Sequence, residues 1–405
     1  MAKEIRDSIH GSIKLDELEL SLLDTPEMQR LRRIKQLGFT YLAYPSATHT
    51  RFEHSLGVMH LAGRIAESVG LSKDDIQLSR ICGLLHDLGH TAFSHTFEAL
   101  VEKHSKQTHE EVACSIIHAD PIKSVLSKSS FSSKDVTDVL MGKNRPVSDI
   151  ISSDLDADRM DYLLRDSHYT GVAYGLIDLE RMIHTLAIHN DELVLTDLPA
   201  AEFLLRARSL MYPTVYEHHT ARIAESMFSH AIEYLILHHG LEIPALLKMD
   251  DIDLIAMLRA SKRYPKDIIG LIDNRTLFKR ALVVGRPDIG TASVQRFAAM
   301  RDDLKQMDRI ESQISDKVGL HHGYVLLDIL EPLYPDGLDL KILKDGKVLH
   351  ASSLSTAIKT MNDSQWDYWR MSVFSPAAGK DAVRKAALSV LNLDLKKSSQ
   401  KKLTE

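Results

Sequence analysis

Apolar residues recur at helical spacing through most of the first 240 positions. Thr25, Pro26 and Glu27 form a helix start, and Met28, Leu31 and Ile34 follow three apart, so a helix is predicted up to Gly38. The charges on its other faces, Arg30, Arg32, Arg33 and Lys35, fit a solvated face or a phosphate-binding one. Residues 39–50 carry no period and read as a loop. Phe52, Leu56, Met59, Ile65 and Val69 predict a helix over 51–70, with His54 beside the stripe. The next helix, about 76–88, is apolar nearly all round and is therefore expected to be buried. It carries His86-Asp87 at its C-terminal end, where an uncompensated charge would be costly and a bound cation would remove the cost.

Further on, residues 90–118 continue helically, and the serine-rich stretch 121–149 reads as a surface segment. Asp158, Asp161 and Arg165 lie at i, i+3 and i+7, with Tyr162 and Asp166 at i+4 and i+8, which places all five on one helical face. Residues 202–237 predict one long helix interrupted near Pro213. The first twenty residues alternate around His10-Gly11 and predict a small hairpin. Beyond residue 241 the pattern is mixed, with helices over 252–261 and 294–314 and strands over 324–327, 347–351 and 368–374. The expected fold is mostly α: a multi-helix catalytic core over 1–240 and a smaller α+β region over 241–405, with oligomerisation or regulation as that region's candidate role.

Composition narrows this only slightly. The chain has 405 residues, 44% hydrophobic and 26% charged, with a formal charge of −6. Nothing in that balance points to a membrane surface or nucleic acid as partner. Two cysteines, Cys82 and Cys114, give no disulfide framework and fit a reducing compartment. No secretory h-region and no run of about 18 apolar residues is present. A cytoplasmic location is expected.

Histidine changes the picture more. Nine of the chain's 21 histidines lie between His49 and His118. His54, His86, Asp87 and Asp158 supply mixed nitrogen and oxygen ligands from separate helices. Such donors suit Mn²⁺, Fe²⁺, Zn²⁺ or Ni²⁺, and they leave positions open on an ion of high coordination number. Water on such an ion ionises near neutral pH, so hydrolysis is the expected chemistry, with a phosphate ester as substrate. His95, His109 and Glu110 could move protons or hold the water. Arg51, Arg159 and Arg165 could bind phosphate oxygens. Tyr162 and Tyr216 could stack on a base or pack on a sugar. Each has a bland alternative: a lone His54 is more often a hydrogen-bonded core histidine, Tyr162 and Tyr216 more often core tyrosines, and Cys82 a small core residue.

Taken in order, His54…His86-Asp87…Asp158 resembles the H…HD…D signature of the HD superfamily of metal-dependent phosphohydrolases. The longer stretches DSIHGSI, QRLRRIKQLG, TRFEHSLGV, GLLHDLGHTAFSH, THEE and DADRMDYLLRDSHYTGV look like its deoxynucleoside triphosphate triphosphohydrolase (dNTPase) branch. The similarity runs from about residue 3 to 230. It implies cleavage of a dNTP, dGTP among them, into deoxynucleoside and tripolyphosphate. It implies a divalent metal (Mn, Mg, Zn, Fe or Ni) on His54, His86, Asp87 and Asp158. By position, His95 matches a catalytic histidine, with His90, His109 and Glu110 beside it. Gln36, Leu37, Arg51, Tyr162, Asp166 and Tyr216 match substrate contacts. Asp166 would accept from the sugar 3′-hydroxyl, and Leu37 and Tyr216 would crowd the 2′ position. Arg208 and His218 fall near phosphate-contacting positions. Arg159 stands where lysine is usual, and the two side chains are not interchangeable. Tyr212-Pro213 replaces a more basic segment. Asp24, Gln29 and Arg32 match part of an activating-nucleotide site, although Arg6 replaces a small polar residue there. The resemblance also implies a homo-oligomer, dimer or tetramer.

Two rival readings remain. One is another HD phosphohydrolase, acting on a nucleotide monophosphate or a cyclic or guanine nucleotide. The other is a nucleotide-binding regulatory module without turnover.

Overall fold

The computed structural model describes residues 3–93, 107–301, 303–331, 339–393 and 395. The chain is mostly helical, with small sheets, as the pattern of apolar positions predicts. It opens with the expected hairpin, β1 (Lys3–Asp7) against β2 (Gly11–Leu15), antiparallel with Asp7 opposite Gly11. Helices α1 (Glu17–Leu23) and α2 (Pro26–Arg30) follow.

The predicted helix through Gly38 is shorter than its periodicity suggests. After one tight turn at Leu31–Arg33 the backbone extends at Ile34, and Lys35 pairs with Thr50. Gln36 N donates to His49 O (3.0 Å) and Arg51 N to Ile34 O (2.9 Å). These long-range bonds satisfy the backbone groups that a longer helix would have used. Arg32 and Arg33 are exposed and Lys35 is half-buried, and each has a partner within the fold. Arg33 pairs with Asp250, Arg32 lies 3.5 Å over the Phe52 ring, and Lys35 stands 3.7 Å from Asp251.

The centre of the fold is α3 (Arg51–Ser68) packed on α4 (Lys73–Leu85). A Thr50–Glu53 capping box starts α3 and Ser72 caps α4. Residues 90–93 are not helical, and α5 (His109–Ile117) begins at a Thr108–Glu111 capping box. The stretch 121–149 is more than a surface segment. It folds as α6 (Ile122–Leu126), α7 (Ser133–Leu140) and α8 (Val147–Ile151), with Leu126, Val136, Val139 and Ile150 in the main core. Its polar residues cap and face outward, which hid the amphipathic period.

Next come α9 (Ala157–Thr170), α10 (Leu179–His184), and a hairpin of β3 (Leu186–His189) and β4 (Glu192–Leu195). The long helix predicted over 202–237 is two: α11 (Leu198–Met211) and α12 (His219–His239), separated by a widened π-type turn at Tyr212–Tyr216 where Pro213 removes a donor. The core under α12 continues across residue 240. Ala224, Phe228 and Ile232 pack with Leu254, Ile268 and Phe278, and also with Phe39 and Phe93.

A third core lies under the antiparallel sheet β5 (Lys279–Gly285), β9 (Arg370–Ser375) and β6 (Leu326–Ile329), in that order. Strands β7 (Lys341–Lys344) and β8 (Lys347–His350) join β3–β4 through a parallel pairing of Leu195 with Ile342. Residues 294–314 span two helices, Thr291–Met300 and Leu304–Val318. No described helix is long and apolar enough to cross a membrane.

Candidate metal centre

Three elements bring the predicted ligands together. His54 lies one turn into α3. His86 and Asp87 follow α4 in a tight 3-10 turn, His86–Gly89, and Asp158 sits in the first turn of α9. His54 Nε2 stands 2.9 Å from Asp158 Oδ1 and 4.0 Å from Asp87 Oδ2. His86 Nε2 is 3.2 Å from Asp87 Oδ1 and 4.0 Å from Asp158 Oδ1. Of these, His54, His86 and Asp87 offer ligand atoms within 4.8 Å of one another.

The residues fit a divalent ion. His86 Nδ1 is 2.9 Å from Gly83 O, which fixes its proton there and turns Nε2 inward as a lone pair. That Nε2 is buried with no hydrogen-bond partner among the described residues, an orphan that a metal would satisfy. His54 makes the same point differently. Burial works against its charge, but hydrogen bonds with Asp158 and Asp161 outweigh this and push it up to about 10. The two carboxylates that face this one histidine carry negative charge that a bound cation would balance. Asp87 is also buried, which alone would raise its pKa; Arg51, His86 and His90 overrule this and hold it well below the usual carboxylate range. It therefore stays an anionic ligand.

Other residues hold these ligands in place. Arg51 Nη1 donates to Asp87 Oδ2 at 2.8 Å, and both are buried. Arg51 thus orients a ligand rather than standing open to phosphate. Arg30 Nη2 donates to Leu88 O (3.1 Å) and His90 O (2.8 Å), and its Nη1 to Met249 O (3.0 Å). These bonds satisfy carbonyls of the turn that displays His86-Asp87. Burial lowers Arg30 to about 10, so it remains charged at neutral pH. Asp251, fully buried, accepts from Lys35 N (3.0 Å) and Phe93 N (3.1 Å). Sequence reasoning missed Arg30 and Asp251 because their partners lie far along the chain.

His90 Nε2 is 3.1 Å from Asp87 Oδ1, and its ring stacks on His109 at 4.3 Å. A side chain at Gly89 would place Cβ 1.9 Å from His109 O, so glycine is required for α5 to come this close. His109 Nε2 lies 3.1 Å from Glu110 Oε1, and both are partly exposed. His95 lies outside the described residues.

The expected substrate residues form a second cluster beside the first. Asp166 is buried, with Oδ1 2.8 Å from His49 Nε2 and Oδ2 accepting from the Tyr216 hydroxyl at 2.9 Å. His49, a residue no sequence signal singled out, stacks on Tyr169. Tyr162 and Tyr212 meet the Tyr216 ring edge-on at 6.1 and 5.2 Å. Burial raises the Tyr162 and Tyr216 hydroxyls, so they act only as neutral donors. Gln36 and Leu37 are buried on the segment bonded to His49, and Gln36 Oε1 has no partner among the described residues.

Arg159 turns to Asp154 (2.6 Å) and Asp156 (3.5 Å), with Arg208 4.0 Å from Asp154. His218 caps α12, its Nδ1 accepting from Thr220 N, and packs against Tyr44 and His219. Arg165 is not the phosphate ligand its position suggests: it is fully buried and used up by Asp161 and Asp7.

Comparison with known proteins identifies the family to which this fold belongs. The family model for the HD domain matches residues 51–166, and that for the HD-associated region matches residues 177–402. The chain belongs to the HD phosphohydrolase family. It is 38% identical over 384 residues to the uncharacterized protein MJ1154 of Methanocaldococcus jannaschii, covering 92% of this chain and 79% of the relative. It is 31% identical over 309 residues to the deoxynucleoside triphosphate triphosphohydrolase SAMHD1 homolog of Dictyostelium discoideum, covering 69% of this chain and 60% of that relative. The crystal structure of a hypothetical protein from Aquifex aeolicus superposes with a TM-score of 0.77 at 29% identity, over 95% of this chain and 100% of that one.

Proposed function

We propose that the chain is a metal-dependent hydrolase of deoxynucleoside triphosphates, dGTP among them, releasing the deoxynucleoside and tripolyphosphate. One observation carries the reading: Asp166 lies two turns along α9 from the candidate ligand Asp158, bonded to His49 and Tyr216, with Gln36 N bonded in turn to His49 O. A carboxylate offers about four acceptor positions. His49 and Tyr216 engage two of them, so a sugar hydroxyl can still donate to Asp166. The tyrosine rings give apolar edges for a sugar or base, and Gln36 Oε1 offers an acceptor for a base. The Dictyostelium relative's named activity supports the same substrate class.

In this reading His54, His86, Asp87 and Asp158 hold the ion, which when bound polarises a phosphate and acidifies water. Arg51 keeps Asp87 aimed and anionic. His90 and His109 form a stacked path from Asp87 to the Glu110 carboxylate, suited to delivering a proton to the leaving oxygen. By sequence position alone, His95 is a further candidate for that proton transfer. Arg159, Arg208 and His218 supply positive or polar contacts along the phosphates. Residues 1–240 form the catalytic core of a cytoplasmic homo-oligomer, dimer or tetramer, and residues 241–405 serve assembly or regulation. Asp24, Gln29 and Arg32 take an activating nucleotide; Arg32 Nε already donates to Gln29 Oε1 at 2.9 Å.

A product assay tests the reading. Purified protein is given each dNTP, singly and mixed, with Mn²⁺ or Mg²⁺, and the phosphate product is identified. Tripolyphosphate with deoxynucleoside is the expected result. Orthophosphate or pyrophosphate would replace the reaction but keep the metallohydrolase. No turnover, even with GTP added, would move the protein to another phosphoester substrate or to a regulatory role.

A further inference from the structure

The N-terminal hairpin reaches Asp161 and Arg165, beside His54, across 151 and 158 positions of sequence. Resting on the metal reading above, we infer that Asp7 and His10, together with Asp161 and Arg165, are positioning residues. They hold the His54 ring in the one orientation and tautomer that presents Nε2 to a divalent ion.

Asp161 is fully buried and accepts four hydrogen bonds: from His54 Nδ1 (2.8 Å), His10 Nε2 (2.6 Å), Arg165 Nε (2.8 Å) and Arg165 Nη2 (2.9 Å). That is the full acceptor capacity of a carboxylate. The group cannot rotate without breaking several bonds at once. Arg165, also fully buried, is held from its far side by Asp7 Oδ2 (2.9 Å) and Oδ1 (3.3 Å). Asp7 in turn accepts from the backbone N–H groups of Ile9 (2.9 Å) and His10 (2.8 Å), which shapes the hairpin turn. One turn therefore delivers two of the contacts, Asp7 to Arg165 and His10 to Asp161.

A separate feature of the sequence agrees. A Cβ at Gly57 would stand 1.9 Å from Asp161 Oδ1 and 2.5 Å from Arg165 Nη2. Helix α3 thus carries no side chain where this cluster passes, one turn beyond His54. Burying two carboxylates and a guanidinium is a poor route to stability, since well-packed apolar residues do as well or better. A ligating histidine, however, gains from donating its other N–H to a fixed carboxylate, which sets its tautomer and raises its basicity. His86 has only the neutral Gly83 carbonyl for that purpose. The anionic support under His54 makes it the more firmly set of the two.

The test uses the full-length protein, stripped with chelator and titrated with Mn²⁺ alone by calorimetry, with Co²⁺ absorption as the readout of ligand geometry. Asp161→Asn is expected to weaken Mn²⁺ binding roughly 10–100-fold, the usual cost of losing an outer-shell partner. His10→Leu, which removes the donor, and Asp7→Asn, which loosens Arg165, are expected to weaken it in the same direction by less. His10→Gln, which keeps an N–H, is expected to recover most of the loss and the wild-type Co²⁺ spectrum. Melts of the metal-free proteins check folding, and if Asp161→Asn fails to fold, the His10→Leu and His10→Gln pair still decides. Folded His10→Leu and Asp7→Asn proteins that bind Mn²⁺ within about twofold of wild type would overturn this inference alone. A wild-type protein that binds no divalent ion would overturn the metal reading and this inference with it.

Discussion

Two buried histidine–carboxylate arrangements sit in different parts of this molecule. In the first, His54 meets Asp161 and Asp158 between α3 and α9. In the second, His230 on α12 meets Glu311 on the helix Leu304–Val318. Both histidines are held protonated by their carboxylates against the cost of burial, to about 10 and about 9. Their surroundings differ. His230 spends Nδ1 on Ser226 O (2.8 Å) and Nε2 on Glu311 Oε2 (3.1 Å), and Glu311 Oε1 takes the N–H of Leu327 (2.6 Å). Each polar side-chain atom of that pair has a structural partner, and Glu311 links α12 to β6. At His54 the second nitrogen instead faces three more ligand-type side chains from two other segments. A perturbed buried histidine alone therefore does not mark chemistry here; convergence of several ligand-type side chains on one point does.

Four outcomes would break or sharpen that contrast. His86→Ala or Asp87→Ala should lose metal, and should lose turnover by more than the roughly 10–100-fold typical of outer-shell partners. Elemental analysis and the product assay read both, and retained metal would count strongly against the assignment. Glu311→Ala should behave oppositely. It leaves His230 without its partner and should cost about 3 kcal/mol of stability in a denaturant melt, with metal content unchanged. Asp166→Ala should lower dNTP turnover on the order of 10–100-fold, the worth of hydrogen bonds to a charged group. Metal binding should survive in that variant; equal loss of both would place the residue elsewhere. The smallest effect is in pH. Because Glu311 outweighs burial and raises His230 to about 9 from 6.5, its contribution to stability is complete below pH 6.5 and is lost as pH rises through about 9. Glu311→Gln should flatten that part of the stability curve, while an unchanged curve would deny the pair its role.

The candidate ligands were legible in the sequence because each sits at a marked place: a histidine beside an apolar stripe, a His-Asp pair ending a buried helix, an aspartate opening a polar face. Asp161 was on that face too, but periodicity shows only that residues share a side, not which neighbour they serve. DSIHGSI and the hairpin marked the stretch of Asp7 and His10, but not their roles, since their partners lie about 150 residues away. The helix expected through Gly38 failed for the same reason, its backbone being drawn off by His49–Arg51. Some misses had readable signals. Asn190-Asp191 and Asp345-Gly346 take positive φ at both turn positions, as two-residue hairpin loops require, and they mark β3–β4 and β7–β8. Only β8 was anticipated, because the strands are four residues long and too short to show alternation.

The most direct measurement is an anomalous difference map from crystals of the protein loaded with Mn²⁺. A peak bounded by His54 Nε2, His86 Nε2, Asp87 and Asp158, with nothing at His230–Glu311, is the predicted result. A map with no peak among those four side chains, from protein that holds the metal elsewhere, would contradict the account.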